Sequence, residues 1–309
     1  MVHFIQNSIE TLNFAGRGND MKQIYDVIVV GKGPAGVSAA LYTHRAGMDT
    51  LVIGAQAGAL MKAEKIDNYY GVPKGTSGPQ LFETGLNQLR DNNIDTVEDQ
   101  VVSIEWDGSY RVKTTAAQYS ATALVLATGT SRRAPKIKGL AEFEGRGVSY
   151  CAVCDGFFYR GKTVAVLGEG EYAAEEAEYL RNLADKTYIL TNGQQVVKTI
   201  EGVEYITAKL SGISGGATVE KISFEDGSEI AADGLFVAIG VAGATDFARK
   251  LGCEINGNAI ATDENCATNL PGLYAAGDNT GGMLQVAKAV YQGAVSGSEA
   301  VKFVRMMKG

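Results

Sequence analysis

A chain of 309 residues with a formal net charge of −7 is long enough to bury a large core and to divide into two domains. Its acidic balance, with no long basic run, argues against nucleic acid as the main partner. Its longest apolar stretches fall far short of the ~20 residues of a membrane span, and its 39 glycines suit a fold with many tight strand-to-helix turns.

Residues 1–20 lack a basic start followed by an apolar block, so they do not read as a secretory signal. Met21 directly precedes the first strand, and 1–20 is treated as an N-terminal extension or leader outside the fold. Tyr25 to Val30 is a short apolar run rich in β-branched residues. It ends in Gly31-Lys32-Gly33-Pro34-Ala35-Gly36, a helical pattern follows through Val37, Ala40, Leu41 and His44, and a second strand runs from Asp49 to Ile53. Strand, glycine turn, helix and strand make one βαβ unit. The glycines permit close backbone approach, and the helix N-terminus offers free N–H groups to a pyrophosphate. No Asp or Glu closes the second strand, so the ribose contact falls to a nearby polar group such as Gln56.

Val101 to Trp106 reads as an edge strand, and Ala123 to Gly129 as a buried strand ending in a tight turn. Arg132 to Lys138, basic and holding Pro135, suits a linker. Cys151-Ala152-Val153-Cys154-Asp155-Gly156 follows. Two thiols separated by two residues can close a disulfide within one turn, and the neighbouring carboxylate can move the proton that exchange requires. The bland alternative is a pair of buried structural cysteines. Against it stands Asp155, a charge costly to bury without a partner.

Thr163 to Leu167, Gly168-Glu169-Gly170-Glu171-Tyr172-Ala173, a helix to about Asn182 and a strand from Lys186 to Leu190 repeat the βαβ opening. Two such openings imply an α/β fold with two Rossmann-like nucleotide-binding domains. Leu235 to Gly240 reads as the closing strand of the middle domain. Gly272 to Asp278 forms another strand with a glycine–aspartate turn, and a helix follows from roughly Leu284 to Met307. Cys253 and Cys266 read as small buried residues. With no second CxxC and only His3 and His44 as imidazoles, no metal site is expected. The cytosol is the natural setting for a catalytic CxxC.

Gly31 to Gly36, Ala127-Thr128-Gly129, Cys151 to Arg160 and Tyr274-Ala275-Ala276-Gly277-Asp278, in that order, resemble the low-molecular-weight thioredoxin reductases. These are FAD-dependent flavoproteins, and the match runs from about Ile24 to the C-terminus. The resemblance implies two three-layer ββα domains, the second inserted into the first. Residues 21–133 and 257–309 would bind FAD, and 134–256 would form an NADPH-domain-like redox domain carrying the CxxC. Cys154 would face the flavin, Cys151 would attack the disulfide of thioredoxin, and Asp155 would serve as acid and base. Gly31, Gly33, Pro34, Ala35 and Gly36 would cradle the pyrophosphate. Asn68, Val101 through its backbone, Thr128, Gly129, Gly277 and Asp278 would complete the site, with Gln285 and Val286 meeting the flavin ring. Leu284 stands where the family usually has Arg. A homodimer, and a dithiol domain that rotates during turnover, are also implied.

The second glycine turn departs from the family. Glu169 and Glu171 bring carboxylates to the place of the NADPH pyrophosphate, where like charges at ~4 Å cost on the order of 4 kcal/mol each. The family's His-Arg-Arg-x-x-x-Arg run, which grips the 2′-phosphate, is replaced by Thr191-Asn192-Gly193-Gln194-Gln195-Val196-Val197. No strand-end carboxylate for the ribose of NAD stands there either. This condition resembles the ferredoxin-dependent flavin thioredoxin reductases, in which FAD accepts electrons singly and passes them on in pairs. Arg132, Arg133, Lys136, Lys138, Arg146, Arg160 and Lys162 form the densest basic cluster for an acidic ferredoxin, or a merely solvated face. The expected function is a thioredoxin-disulfide reductase fed by ferredoxin. The alternatives are an NADPH-dependent reductase with an atypical nucleotide site and a flavoprotein redox sensor that does not turn over.

Overall fold

The structure is a computed structural model that describes residues 23–55, 58–129, 135–196, 198–239 and 243–309. Its first part runs β1 (Ile24–Val30), α1 (Pro34–Arg45), β2 (Thr50–Ile53), α2 (Gly78–Asp91), β3 (Asp95–Val97), β4 (Val101–Trp106), β5 (Tyr110–Thr114) and β6 (Gln118–Leu126). The middle adds β7 (Val148–Ser149), α3 (Ala152–Asp155), β8 (Thr163–Leu167), α4 (Glu171–Leu180), β9 (Lys186–Leu190), β10 (Glu204–Ile206), β11 (Leu210–Ser214), β12 (Lys221–Phe224), β13 (Glu229–Ala231) and β14 (Gly234–Val237). The chain ends with α5 (Ala244–Leu251), β15 (Ile255–Asn256), β16 (Ala259–Ile260), β17 (Leu273–Ala275) and α6 (Val286–Lys308).

Two sheets with parallel cores result, as the two βαβ openings require. In the larger, the order is β3-β2-β1-β6-β5-β4, and β17 pairs in parallel with the end of β6. Val27 to Val30 and the whole of β2 are buried, which accounts for their unbroken β-branched and aliphatic run. β6 pairs in parallel with β1 over its length and antiparallel with β5 at its start. The β4–β5–β6 meander and the helices thus flank the parallel strands in the expected three-layer plan. β4 lies at the sheet edge with Trp106 half exposed, its ring 4.5 Å from that of Tyr110.

The second sheet has the order β10-β9-β8-β14-β7, all parallel, beside the antiparallel β11-β12-β13. β14 is last in chain order but lies inside, between β8 and β7, and all four of its residues are buried. Among the described residues no helix is long and apolar enough to cross a membrane.

One packing contact brings the C-terminal segment to the first glycine turn. A Cβ at Gly293 would lie 2.2 Å from Ala35 O, and one at Gly297 2.6 Å from Ala39 O. These residues are one turn apart on α6 and face α1. Their missing side chains let the two helices touch backbone to backbone, which sets the start of α6 beside Gly33.

Candidate functional site

A cleft of about 630 Å³ opens at the C-terminal ends of β1, β6 and β17, where open parallel sheets bind nucleotides. Gly31, Gly33, Pro34, Ala35, Asn68, Val101, Thr128, Gly129, Gly277, Asp278, Gln285 and Val286 all line it. Gly36 does not. Its Cβ would lie 1.7 Å from Gly31 O, so it serves the turn's own packing. Gln56 lies outside the described residues.

Gly33 is different. It precedes α1 in extended conformation, and a Cβ there would meet no protein atom within 4 Å. Nothing in the fold requires glycine at this position, whereas a pyrophosphate seated on the α1 N-terminus does. The residues present therefore fit FAD, with Gly33, Pro34 and Ala35 under the phosphates and the Leu284–Val286 segment at the other side.

The cleft walls are held by polar contacts. Asn68 donates from Nδ2 to Gln285 Oε1 at 2.9 Å, joining the loop before α2 to the start of α6. The Thr128 hydroxyl accepts Ala244 N–H at 2.8 Å, which fixes the first turn of α5. Lys288 donates to Gly277 O at 3.0 Å, to Thr280 Oγ1 at 3.1 Å and to Gly281 O, clamping the glycine–aspartate turn. Burial lowers the Lys288 ammonium, while Asp278 opposes the shift. Burial alone would raise the Asp99 carboxyl. Hydrogen bonds from Thr114, Thr115, Gln100 N–H and Ala116 N–H outweigh it and hold the group below its ordinary value.

Several lining residues carried no clear signal in the sequence. Lys32 is buried at 7% exposure, and its Nζ sits 2.9 Å from Glu98 Oε1. A charged residue inside a glycine turn could have flagged it. Asp99, Gln100 and Phe247 also line the cleft, and only tertiary structure gathers them there.

The dithiol lies on α3, a single turn after β7. Cys151 and Cys154 form a disulfide with Cα atoms 5.3 Å apart. Cys151 is 2% exposed, whereas Cys154 is exposed. The backbone N–H of Cys154 donates to Cys151 Sγ at 3.2 Å. Asp155 is held by Ser149, whose hydroxyl donates to Oδ2 at 2.6 Å and also accepts Cys151 N–H at 3.1 Å. This serine, two positions before the first cysteine, escaped the sequence reading. Burial and the nearby Asp155 charge both raise the Tyr159 phenol. α3 packs against α5, the helix whose Phe247 lines the cleft. Cys253 and Cys266 are buried free thiols, each pushed up to about 11, chiefly by burial.

The second glycine turn carries its two carboxylates as the sequence showed. Glu171 opens α4 and pairs with Lys198 at 3.0 Å. The loop after β9 is bonded within itself and to the start of β11. Thr191 Oγ1 donates to Gln194 O at 2.6 Å, and Asn192 Oδ1 accepts Leu210 N–H at 2.8 Å. Val197 lies outside the described residues.

Residues 25–293 match the family described as pyridine nucleotide-disulphide oxidoreductase. The chain belongs to this family. It is an FAD-dependent oxidoreductase acting on sulfur groups. It is 34% identical over 307 residues to a thioredoxin reductase of Listeria innocua serovar 6a, covering 93% of this chain and 96% of that one. Among solved structures it is similar to the atypical thioredoxin reductase TRi from Desulfovibrio vulgaris Hildenborough, with 40% identity, 91% and 98% coverage and a TM-score of 0.84. A ferredoxin-flavin thioredoxin reductase from Clostridium acetobutylicum matches with 30% identity, 93% and 99% coverage and a TM-score of 0.67.

Proposed function

We propose that this protein is a thioredoxin-disulfide reductase whose electrons come from reduced ferredoxin rather than from NADPH. Its thioredoxin reductase relatives support the acceptor. FAD, when bound, supplies the exchange between single-electron and paired-electron chemistry. After reduction, the Cys151 thiolate attacks the thioredoxin disulfide, forming a mixed disulfide and releasing one thioredoxin thiolate. Cys154 then attacks the Cys151 sulfur, releasing the second thiolate and restoring the Cys151–Cys154 disulfide. Asp155, steadied by Ser149, moves the protons, and the Cys154 N–H beside Cys151 Sγ favours the thiolate there. Neither cysteine lines the cleft, and the exposure of Cys154 beside a covered Cys151 supports Cys154 as the sulfur that faces the flavin.

In this reading residues 134–256 form the inserted redox unit, and a homodimer is the working assembly. The cytosol, which keeps thiols reduced, is its setting. Ferredoxin docks on the basic residues between Arg132 and Lys162. Of these, Arg160 lies over the Phe157 ring at 5.3 Å and Lys162 over Tyr159 at 5.5 Å, while Arg132 and Arg133 lie outside the described residues.

One observation carries the choice of donor. The N-terminus of α4, where a nucleotide pyrophosphate would sit, holds Glu171 already paired to Lys198, and in the neutral loop after β9 Thr191 and Asn192 bond to backbone groups of the protein. Anaerobic titration of the oxidised FAD-loaded protein with NADPH, NADH and reduced ferredoxin tests it. Ferredoxin is expected to bleach the flavin and, with thioredoxin added, to sustain turnover. Rapid bleaching by NADPH would overturn the donor assignment, and bleaching by ferredoxin without turnover would leave a redox sensor.

A further inference from the structure

Consecutive residues of α4 each hold a lysine from outside the second sheet. Glu175 pairs with Lys113 on β5 of the larger sheet, and Glu176 pairs with Lys250 on the last turn of α5. The inner pair is sealed, with the Glu176 and Lys250 side chains 3% and 10% exposed. The outer pair is open to solvent through Lys113.

The inner pair bonds one residue that flanks Cys151 and reaches the other through Tyr172. Glu176 Oε2 accepts Ala152 N–H at 2.7 Å. Lys250 Nζ stands 4.8 Å from the centroid of the Tyr172 ring, whose hydroxyl donates to Tyr150 O at 3.3 Å. Less than one turn earlier, α5 offers Phe247 to the cleft. One cluster therefore ties the dithiol turn to the helix that lines the cofactor cleft.

Two buried charges are expensive to desolvate, so such a pair adds little stability over an apolar isostere, while losing one partner is costly. The contact is accordingly close to all-or-none. In this arrangement Cys151 is 2% exposed, and no sulfur of another protein can reach it. Exchange with a protein disulfide requires a second arrangement in which Cys151 is uncovered, and every contact made only in the first sets the balance between them.

We propose that Glu176 and Lys250 are positioning residues, a buried clasp that seats the dithiol turn against α5 and keeps Cys151 covered until the protein substrate is met. The proposal rests on the assignment of Cys151 as the attacking sulfur. Glu175 and Lys113 form a weaker outer part of the same clasp.

The test uses the FAD-loaded full chain carrying Glu176→Gln with Lys250→Met, which leaves no orphan charge. After reduction by a small dithiol, the alkylation rate of Cys151 by iodoacetamide is read by peptide mass. Cys253 and Cys266, kept protonated by burial, serve as unreactive controls. In a separate Cys151→Ser background, the long-wavelength absorbance band of the Cys154 thiolate beside the flavin is recorded. The double variant is expected to alkylate Cys151 at least about fivefold faster and to lose at least about half of the band. Lys250→Arg alone should restore both readouts toward the parent.

Parental alkylation and a parental band in the double variant would overturn the clasp. If the double variant fails to fold, Glu175→Gln with Lys113→Met, a more exposed pair, should shift both readouts in the same direction by about twofold, and no shift there overturns the proposal. If the Cys151→Ser parent itself shows no band, the placing of Cys154 at the flavin fails. The alkylation rates still decide the clasp.

Discussion

The turns Gly31 to Gly36 and Gly168 to Ala173 share a backbone plan and differ in what they leave room for. Each follows a buried parallel strand and opens a helix. In the first, a Cβ at Gly33 would point into open space, and the cleft beyond it is lined at the ends of β1, β2, β6 and β17 and by the start of α6. The leading glycines do not differ: a Cβ at Gly31 would lie 2.2 Å from Ala127 O, and one at Gly168 2.3 Å from Ala238 O. In the second, the helix that follows carries Glu171, neutralised by Lys198 rather than left for a ligand. On the proposed reading, a glycine spacing survives as architecture where the electrostatics do not suit a phosphate.

This contrast can be broken in four places. The largest effect concerns the dithiol between the turns. Cys154→Ser should keep FAD on the first turn, seen as an unchanged yellow spectrum, while thioredoxin reduction falls by about a thousandfold or more. A colourless variant would mean that the cleft depends on the dithiol. Next comes Gly33→Ala. No protein atom opposes the new methyl group, so the melting temperature of the apoprotein should hold, while FAD affinity measured by flavin fluorescence drops about 10- to 100-fold, or about 1.4 kcal/mol per decade. Unchanged affinity would remove the phosphate reading of that turn.

A smaller gain is expected from Glu169→Gln with Glu171→Gln. Removing both carboxylates should tighten NADPH binding by about tenfold in calorimetry, but without efficient flavin reduction, because Thr191 and Asn192 supply no cation. Efficient NADPH turnover in this variant would place the discrimination in the carboxylates alone.

The smallest effect lies in α5. Burial raises the Asp246 carboxyl above the ordinary value of 3.8, against Gly243 N–H, Arg249 and Lys250. A carboxyl raised in the folded state binds its proton more tightly there than in the unfolded chain. Its contribution to stability is therefore present at low pH and lost as pH rises through the raised value. Asp246→Asn keeps an acceptor for Gly243 and should raise the melting temperature at pH 7 by on the order of 1 °C, with a flatter pH profile above 3.8. A lower melting temperature at pH 7 would show that the charge helps the cap more than burial hurts it.

Much of the fold was legible because its signals are local. Tyr25 to Val30 and Thr163 to Leu167 announce buried parallel strands by composition, and the glycine turns mark the helix starts. Boundaries moved slightly: α4 ends at Leu180 instead of near Asn182, and α6 begins at Val286 with Gln285 as its cap. The cleft residues named from the family order converge, apart from Gly36, which packs the turn. What stayed hidden depends on partners far along the chain. Lys32 reads as a spacer in a glycine motif until Glu98 is found beside it. Glu176 looks like one more surface carboxylate of α4 until Lys250 and Ala152 N–H close around it. Phe247 carries no pattern at all.

The order of residues by itself determined the two βαβ openings, the CxxC-Asp motif and the two carboxylates of the second turn, because each depends on neighbours within a few positions. Only the tertiary structure decided that Gly33 faces empty space, that Cys151 is covered while Cys154 is not, and that a buried ion pair ties α3 to α5. Those facts depend on which distant segments pack together, and burial and pairing belong to the packed chain rather than to any stretch of it.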